Sequence, residues 1–427
     1  MLERIIAIWK LKDLRRAIGF VLLVLVVFRV AAHIPVPGVN LVELQRFFAG
    51  NQLLGLLNVF SGGTMENFSI VALGVAPYIT SSIIFQLLAM VIPALEELQK
   101  EGEYGRKKIN QYTRLLTVPL ALLQGFALIS LIRQSSAAIL PNLDGAQTLM
   151  LILTVTAGTM FLMWLGELIS EKHVGNGISL MIFAGIIASA PRAVQQLIVT
   201  FDPARIVQLV VFALLAIVTI VGVVALTEAQ RNIPVSYARR VRGMRMVGGL
   251  DTHLPLRVNM AGVIPIIFAI SIILFPPMVA QFLVRAKTAW IAGLADFTIR
   301  IFQDQLVYGI VYFVLVVIFT YFYTAVIFQP QQIAENLQKQ GGFIPGIRPG
   351  RATAEYLSYV TNRIISAGAI ALGIIAILPL ITQQFIPGAS TLISIVGGTS
   401  LLIIVSVVIE TVKQVQSQLT MREYEGL

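Results

Sequence analysis

The sequence predicts an all-α membrane protein with ten transmembrane helices. Of its 427 residues, 57% are hydrophobic and only 12% are charged, whereas a soluble domain carries roughly 25% charged residues. Ten stretches are apolar enough for a helical span, which needs about 20 residues to cross a hydrocarbon core of about 30 Å. None of them shows the alternation of apolar and polar residues that is typical of the strands of an outer-membrane barrel.

The ten predicted spans divide into two groups of five. An odd number of spans in each half means that any structural duplication must be inverted, as in many transport proteins. We therefore expect two five-helix halves, at 1–200 and 201–427, which are inverted relative to each other if they arose by duplication. The predicted spans are 18–34, 69–93, 114–137, 147–170, 176–198, 206–228, 261–283, 304–327, 364–385 and 391–412.

The distribution of Lys and Arg predicts the orientation in the membrane. The formal net charge is +10. If the N-terminus is cytoplasmic, 23 of the 31 Lys and Arg residues lie in cytoplasmic segments and 7 lie in the opposite loops. This asymmetry follows the positive-inside rule and predicts a protein of the cytoplasmic (inner) membrane with both termini in the cytoplasm. The basic balance is thus mainly a topology signal, and RNA binding is secondary.

Several classes of chemistry are excluded by the residues present. The sequence has no cysteine, which excludes disulfides, cysteine-ligated metals and thiol nucleophiles. Its histidines, at positions 33, 173 and 253, are far apart and form no HExxH pattern. No GxxxxGK[ST] loop for nucleotide binding occurs. We therefore expect no metal, no cofactor and no enzyme activity, and directed transport would need an external motor.

The predicted spans contain very few charged residues in their interiors. The spans at 69–93, 261–283 and 364–385 have none, and 304–327 has none beyond its first residue. Ion-coupled transporters need ionisable groups at the membrane midplane, so the chain is predicted to be a passive conduit. The alternative is a small-solute secondary transporter with inverted repeats. The charged residues near span ends are Arg29, Arg133, Glu167, Arg192, Glu228 and Glu410.

The segment 51–69 precedes the second span and is too short to cross a membrane. Its first half is apolar, and Ser61-Gly62-Gly63 then breaks the pattern. A half-helix that enters the protein from outside and turns back fits this sequence, because irregular backbone at membrane depth must be surrounded by protein or water. An ordinary surface helix in an external loop fits equally well.

Two long basic loops lie on the predicted cytoplasmic side, at 229–258 and 328–363. The first alternates around Gly243 and predicts a hairpin. The second has a short helical pattern at Gln331–Gln340, a stop at Gly341-Gly342, and then FIPGIRPGR. Exposed basic elements favour docking of a large partner. Topology and attraction to anionic lipid form the alternative explanation.

Four motifs, in order along the chain, resemble the SecY family of protein-conducting channels. They are GVAPYITSSIIFQLL at 74–88, WLGELISEKHVGNGISLMIF at 164–183, THLPLRVNMAGVIP at 252–265 and GGFIPGIRPGRATAEYL at 341–357. The resemblance extends to IVGGTSLLIIVSVVIE at 395–410. It implies the central subunit of a passive pore that translocates unfolded preproteins and inserts membrane proteins laterally into the lipid.

The resemblance also implies a central constriction and a plug. We call the six residues at the constriction the pore ring, and they are Val75, Ile79, Ile182, Ile186, Ile267 and Ile403. Two pairs of them are spaced i,i+4 and so line one helix face each. The implied plug covers about 54–67 with Gly62-Gly63 as its hinge. Its residues are Leu54, Leu57, Phe60, Ser61, Gly62 and Gly63.

Two further sites follow from the resemblance. A lateral gate is implied between the second/third and seventh/eighth spans, and ordinary packing is the alternative role for its polar residues. The gate residues are Thr80, Gln86, Gln124 and Ser271. The residues implied to dock a motor or ribosome are Arg239, Arg240, Arg242, Arg245, Arg348 and Arg351. The implied partners are SecE-like and SecG-like small membrane subunits, a SecA-like ATPase, the ribosome, signal peptides, preproteins and membrane lipid.

Overall fold

A computed structural model provides the architecture of the chain. It describes residues 11–37, 39–49, 58, 61–134, 139–140, 144–199, 206–237, 240–242, 245–247, 251–284, 288–385 and 398–425. Ten helices coincide with the ten predicted spans. They are α1 Lys12–Ala32, α3 Ala76–Val91, α5 Glu103–Gln134, α6 Gly145–Ser170, α7 Gly177–Val199, α8 Ile206–Glu228, α9 Ile264–Leu283, α11 Gln305–Ile327, α13 Arg351–Phe385 and α14 Gly398–Glu425.

Shorter elements connect the long helices. The short helices are α2 Leu41–Ala49, α4 Pro93–Lys100, α10 Ala289–Gln303 and α12 Pro330–Lys339. The strands are β1 Gln230–Tyr237, β2 Arg240–Arg242, β3 Arg245–Val247, β4 Asp251–Arg257 and β5 Gly342–Phe343. By length and composition alone, six helices in the described ranges could cross a membrane, or seven if the bent pair α3 and α4 is one span.

The remaining spans fall short of that simple criterion for local reasons. Helix α3 ends at Val91 because Ile92 is extended, with φ −101° and ψ 111°, before Pro93. A residue before proline is disfavoured in the helical region, and the chain bends by 103° there. Helix α1 is long enough, but Arg15 and Arg16 in its first turns and Arg29 in its last turn leave residues 17–28 as its longest stretch free of charge.

The second span begins seven residues later than predicted, at Ala76 rather than residue 69. Residues 61–75 form turns instead of helix, and Gly62, Gly63 and Gly74 have φ between +59° and +78°. A right-handed helix cannot include such residues. The implied plug helix likewise does not extend to residue 67. Positions Leu54, Leu57 and Phe60 lie outside the described residues, whereas Asn58 is helical.

The two long loops fold together into one body, which we call the loop platform: β1, β4, β5, α12 and the start of α13. The predicted hairpin is confirmed, since β1 pairs antiparallel with β4 over its length. Strand β5 from the second loop adds to the other edge of β1, with Ser236 opposite Phe343. Helix α12 confirms the predicted short helix. A separate apolar core that includes Ile233, Leu256 and Leu357 lies beneath this sheet.

Three long helices extend beyond the predicted spans. Helix α5 begins at Glu103 instead of 114, α13 begins at Arg351 instead of 364, and α14 continues to Glu425 instead of 412. These extensions are rich in Glu, Lys, Arg, Gln and Tyr. Such residues are compatible with helix but too polar for lipid, so hydropathy marks the membrane boundary rather than the helix end.

Helix α6 packs against the irregular segment at Gly158, which leads to a first prediction. A β-carbon at position 158 would lie 2.0 Å from the carbonyl oxygen of Ile70. Backbone cannot yield as a flexible side chain does, so Gly158→Ala should destabilise the folded protein by about 1–3 kcal/mol through overpacking. A thermal melt of the purified protein in detergent measures this. Gly19→Ala is the control, because its β-carbon would meet nothing within 4 Å, and an unchanged melt for Gly158→Ala would contradict the packing.

Candidate functional site

Two seams join the first five long helices to the last five. Along one seam, α9 packs against α3 and α5, and along the other, α14 packs against α7. Within each group the helices pack mainly with one another. Together with α5, the four helices α3, α7, α9 and α14 therefore form the two seams between the groups.

The pore ring lies on these four helices. Val75 is the N-cap residue of α3 and Ile79 follows one turn later. Ile182 and Ile186 lie on α7, Ile267 on α9 and Ile403 on α14. Each of the six is 1–8% exposed, and all six belong to one apolar cluster. None of them points to the lipid-facing surface of the molecule.

Local sequence explains why the ring residues Val75 and Ile79 lie at the start of α3. Helix α3 begins directly after Gly74, whose φ of +59° interrupts the helix, and Pro77 in the first turn has the φ that a helix start requires. A β-carbon at position 74 would lie 2.8 Å from Ser61 Cα. Only glycine therefore allows the chain to turn here against the segment that precedes it.

The residues 61–69, which we call the plug base, pack beside the ring. Ser61, Thr64, Phe68 and Ser69 are buried, at 0–3% exposed. Thr64 Oγ1 donates to the carbonyls of Ser61 and Ala72, at 2.9 and 3.1 Å. Buried polar groups are stable only when hydrogen-bonded. This irregular backbone is thus satisfied internally and enclosed by protein.

The polar residues of the implied gate bond within their own helices. Thr80 Oγ1 donates to the carbonyl of Ala76 at 3.0 Å, and Ser271 Oγ donates to that of Ile267 at 2.9 Å. Gln86 Nε2 donates to Ser82 Oγ at 3.1 Å. Gln124 is half-buried on α5. The hydrogen bonds of Thr80, Gln86 and Ser271 therefore do not bridge the seam.

One polar atom of the implied gate residues is unsatisfied. Gln86 Oε1 is buried on α3 and has no hydrogen-bond partner among the described residues. A buried amide oxygen without a donor costs about 1–3 kcal/mol.

Both long loops carry basic residues. Arg240 and Arg242 lie on β2, and Arg245 on β3 pairs directly with Arg242 in a separate two-stranded sheet. Arg239 lies outside the described residues. Arg348 lies in the second loop, whose strand β5 joins β1.

Arg348 lies on a constrained turn. It is exposed between Gly346 and Gly350, whose φ values are +82° and +95°. Its carbonyl accepts a 2.9 Å hydrogen bond from Thr353 Oγ1, which ties the turn to α13. Arg351 is also exposed but forms an ion pair of 3.0 Å with Glu355. The side chain of Arg348 is therefore presented outward from a fixed backbone.

Two ion pairs near span ends join neighbouring helices. Arg114 pairs with Glu167 across α5 and α6 at 2.6 Å, and Lys413 pairs with Glu228 across α14 and α8 at 2.7 Å. The second pair lies at the end of α8 that leads into β1. In the part of the chain that is described, no group of three His, Asp or Glu side chains could hold a metal ion.

Two residues of the site were missed from the sequence. Arg29 Nη1 donates a 2.9 Å hydrogen bond to the carbonyl of Gly62, although its position indicated only a charge near a span end. Gly185 on α7 contacts Gly62 backbone to backbone, since a β-carbon at 185 would lie 2.1 Å from Gly62 Cα. The signal for Gly185 was a glycine inside an apolar span, between the pore-ring positions Ile182 and Ile186.

Comparisons with known proteins agree with this architecture. The sequence matches the SecY family over residues 69–412. The protein translocase subunit SecY of Streptomyces galbus is 44% identical over 447 aligned residues, which cover 100% of this chain and 99% of that protein. The SecY subunit of Streptomyces griseus is 45% identical, with 98% of each protein covered. That of Mycobacterium tuberculosis is 43% identical, with 100% of this chain and 99% of the relative covered.

Solved structures show the same fold. A structure described as that of a protein conducting channel superposes with a TM-score of 0.62 at 17% identity, covering 93% of this chain and 91% of that chain. Sec61 in the canine ribosome–channel complex from the endoplasmic reticulum superposes with a TM-score of 0.57 at 18% identity, with the same coverage. The ten-helix fold is thus shared with these channels. Together with the sequence identity over its full length, this shows that the chain belongs to the SecY family.

Proposed function

We propose that the chain is the central subunit of a protein-conducting channel in the cytoplasmic membrane. It passes unfolded preproteins across the membrane and releases hydrophobic segments sideways into the lipid. The observation that carries this proposal is the pore ring: six apolar residues from four helices are buried in one cluster where the two seams meet.

The two proposed halves, 1–200 and 201–427, are supported by the repetition of helix contacts. In the first half α1 packs against α6 and α7, and in the second α8 packs against α13 and α14. The contacts of α3 with α5, α5 with α6 and α6 with α7 recur as those of α9 with α11, α11 with α13 and α13 with α14. Two five-helix units with the same internal packing leave seams at which they can separate.

The pore ring supplies the seal of the resting channel. A narrow apolar constriction excludes ions and water because the confined space dewets. Branched aliphatic side chains can rearrange around a passing chain whatever its sequence, since their contacts are non-directional. The same physics therefore allows a tight resting barrier and the passage of many different polypeptides.

The lateral gate is proposed at the seam of α9 with α3 and α5. Helix α9 is bordered on its other side by α11, which completes the seventh/eighth side of the gate. Because Thr80 and Ser271 bond to their own helices, packing holds this seam rather than hydrogen bonds across it. Packed apolar surfaces are replaceable by another apolar helix at little cost in lipid. A signal peptide can therefore compete for the seam.

The channel needs an external motor, and the loop platform is the proposed docking site. Arginine is suited to both an ATPase and a ribosome, since its planar fork grips carboxylates and phosphates in bidentate geometry. One of the similar structures is a ribosome–channel complex. The proposed partners are a SecA-like ATPase, the ribosome, and SecE-like and SecG-like membrane subunits.

Both termini and the loop platform are proposed to face the cytoplasm. The excess of Lys and Arg on that side supports this orientation. The exposed apolar surface of α8, which includes Val207, Leu214 and Ile217, is suited to lipid or to a small membrane subunit. The chain is then a multi-pass protein whose basic platform meets partners made in the cytoplasm.

Reversal of one platform charge gives a second prediction. Arg348→Glu should lower motor-driven export by about tenfold or more, because losing one charge-assisted contact and adding repulsion costs over 1.4 kcal/mol of docking free energy. Membrane insertion of the channel should stay normal, since the residue is exposed. Arg46→Glu, an equal charge reversal of an exposed arginine on α2 outside the loop platform, is the control. Full ATPase-dependent transport by Arg348→Glu would remove this residue from the docking role.

Reconstitution tests the proposed function against the alternative. Vesicles that contain the channel with its small partner subunits should import a radiolabelled preprotein when a SecA-like ATPase and ATP are supplied. They should show no uphill accumulation of amino acids or sugars under a proton or sodium gradient. Gradient-driven solute uptake without preprotein import would instead favour the secondary transporter.

A further inference from the structure

Arg29 contacts the plug base from the last turn of α1. Its guanidinium Nη1 lies 2.9 Å from the carbonyl oxygen of Gly62, a residue 33 positions further along the chain. The helix dipole alone favours a cation in the last turn, which would explain an arginine but not its partner. A hydrogen bond from an ionised donor is roughly twice as strong as a neutral one. The bond to Gly62 is thus a specific contact between α1 and the plug base.

Gly62 is enclosed on its other sides as well. A β-carbon at position 62 would lie 3.0 Å from Phe28 Cζ and 3.2 Å from Gly185 Cα. Gly62 also has a φ of +75°. Its neighbour Gly63 has a φ of +78°, but nothing lies within 4 Å of its β-carbon position. Gly62 is therefore packed between helices α1 and α7.

Hydrogen bonds tie the plug base to Asn58. Asn58 Nδ2 donates to Glu66 Oε2 and Asn58 Oδ1 accepts from the backbone N–H of Glu66, each at 3.0 Å. The carbonyl of Asn58 accepts from Gly63 N–H at 2.8 Å and from Ser61 Oγ at 2.9 Å. The turn from 58 to 66 is therefore held by several bonds at once.

The far end of the plug base is anchored to the chain that follows α1. Val36 N–H donates to the carbonyl of Phe68 at 2.9 Å, and Ile70 N–H donates to that of Ile34 at 3.0 Å. Both ends of the plug base are thus attached to α1 or to its continuation. A segment with this many buried contacts belongs to the stable part of a fold rather than to a part that opens locally.

We propose that Arg29 is a positioning residue that locks the plug base in place, and that the plug base remains fixed when the channel opens. The hinge expected at Gly62-Gly63 cannot act at Gly62, because Arg29, Phe28 and Gly185 hold that residue. Any displacement of the plug must then pivot before Asn58, which bonds to Glu66 and Gly63. Arg29 keeps the resting channel sealed by holding the plug base against α1 and α7. This inference rests on the proposed channel function.

Substitution of Arg29 in the full channel, with its partner subunits, tests the inference by hydrogen exchange. In Arg29→Gln, amide exchange in a peptide that spans 61–72 should accelerate about tenfold, the effect of losing roughly one charge-assisted hydrogen bond. Arg29→Lys should lie between this variant and the parent, because it keeps the charge but not the planar fork. The control is Arg133→Gln, since Arg133 also lies at a span end but bonds to Thr148.

A second measurement separates sealing from general damage. Arg29→Gln should raise the resting ion conductance of channels in planar bilayers several-fold, while the maximal rate of ATPase-driven preprotein import stays within about twofold of the parent. A general loss of structure would lower the import rate as well. Unchanged exchange at 61–72 in Arg29→Gln would overturn the anchor, and accelerated exchange without a conductance change would overturn its role in sealing.

The outcomes also distinguish this inference from the channel function itself. If the parent protein neither imports preprotein nor conducts ions when the pore ring is disrupted, the proposed function fails whatever Arg29 does. If the parent imports preprotein and Arg29→Gln behaves as Arg133→Gln does in both assays, only the inference on Arg29 fails.

Discussion

Ile403→Asn is expected to make the resting channel conduct ions and to admit preproteins whose signal sequences are defective. Ile403 is 1% exposed and lies in the apolar cluster of the pore ring. An amide in this position lacks a partner while the ring is dry, which costs about 1–3 kcal/mol. A hydrated, open ring relieves that cost, so the closed-to-open ratio should fall about tenfold or more.

Two measurements check this prediction on reconstituted vesicles: ion efflux in the resting state, and import of a preprotein with a weakened signal sequence. Both should increase. Val408→Asn is the matched control, because Val408 lies on the same helix but is 42% exposed. Equal leak from Ile403→Asn and the parent channel would show that position 403 is not part of the seal.

Gly185→Ala is expected to disturb the seal from the other side, by displacing the plug base. The added β-carbon would lie 2.1 Å from Gly62 Cα and 2.9 Å from Gly62 C. Both neighbours are backbone, so either α7 or the plug base must move. We expect a loss of about 1–3 kcal/mol of stability through overpacking, together with increased resting ion leak.

Gly125→Ala provides the control for this substitution. Gly125 is a buried glycine in α5, and the nearest atoms to its β-carbon position lie at 3.8 Å, an ordinary contact. The control should seal and melt as the parent does. A Gly185→Ala channel with parental melting temperature and parental leak would contradict the close approach of α7 and the plug base.

Hydropathy and charge predicted most of the fold because lipid imposes a simple constraint. Each span must satisfy its backbone internally and present apolar side chains, so the ten helices fall where the apolar stretches are. The ends were harder to predict. Helix α13 begins at Arg351 because polar residues such as Glu355 and Asn362 are compatible with helix outside the membrane, and hydropathy does not report this.

At the start of the second span, the local sequence contains residues that favour turns, but the prediction from hydropathy did not take them into account. Gly74 precedes the helix with a positive φ, and the stretch from Ser61 to Ser69 contains six residues of the Ser, Gly, Thr and Asn types that favour turns. The apolar residues Val71, Ala72 and Leu73 that follow it extended the hydropathy signal, so the span was predicted to start too early. Tertiary packing, not propensity, makes them buried turn residues.

The candidate site likewise contains residues that the sequence predicted and contacts that it did not predict. The pore-ring positions came from family motifs, and the structure places all six in one buried cluster, while their role in sealing stays a prediction. The partner of Arg29 could not be predicted, because a hydrogen bond to a backbone carbonyl 33 residues away leaves no residue-type signature at Gly62. The same holds for the backbone contact between Gly62 and Gly185.

A crosslinking experiment tests the central claim most directly. The chain has no cysteine, so single cysteines can be placed at Ile79, Ile186 and Ile403, and at Leu123, Leu214 and Ile310 as exposed controls on α5, α8 and α11. A preprotein stalled midway through the membrane should carry a thiol-reactive photocrosslinker in its translocating segment. The account predicts adducts to all three ring positions and none to the controls; adducts to the exposed positions with none to the ring would contradict it.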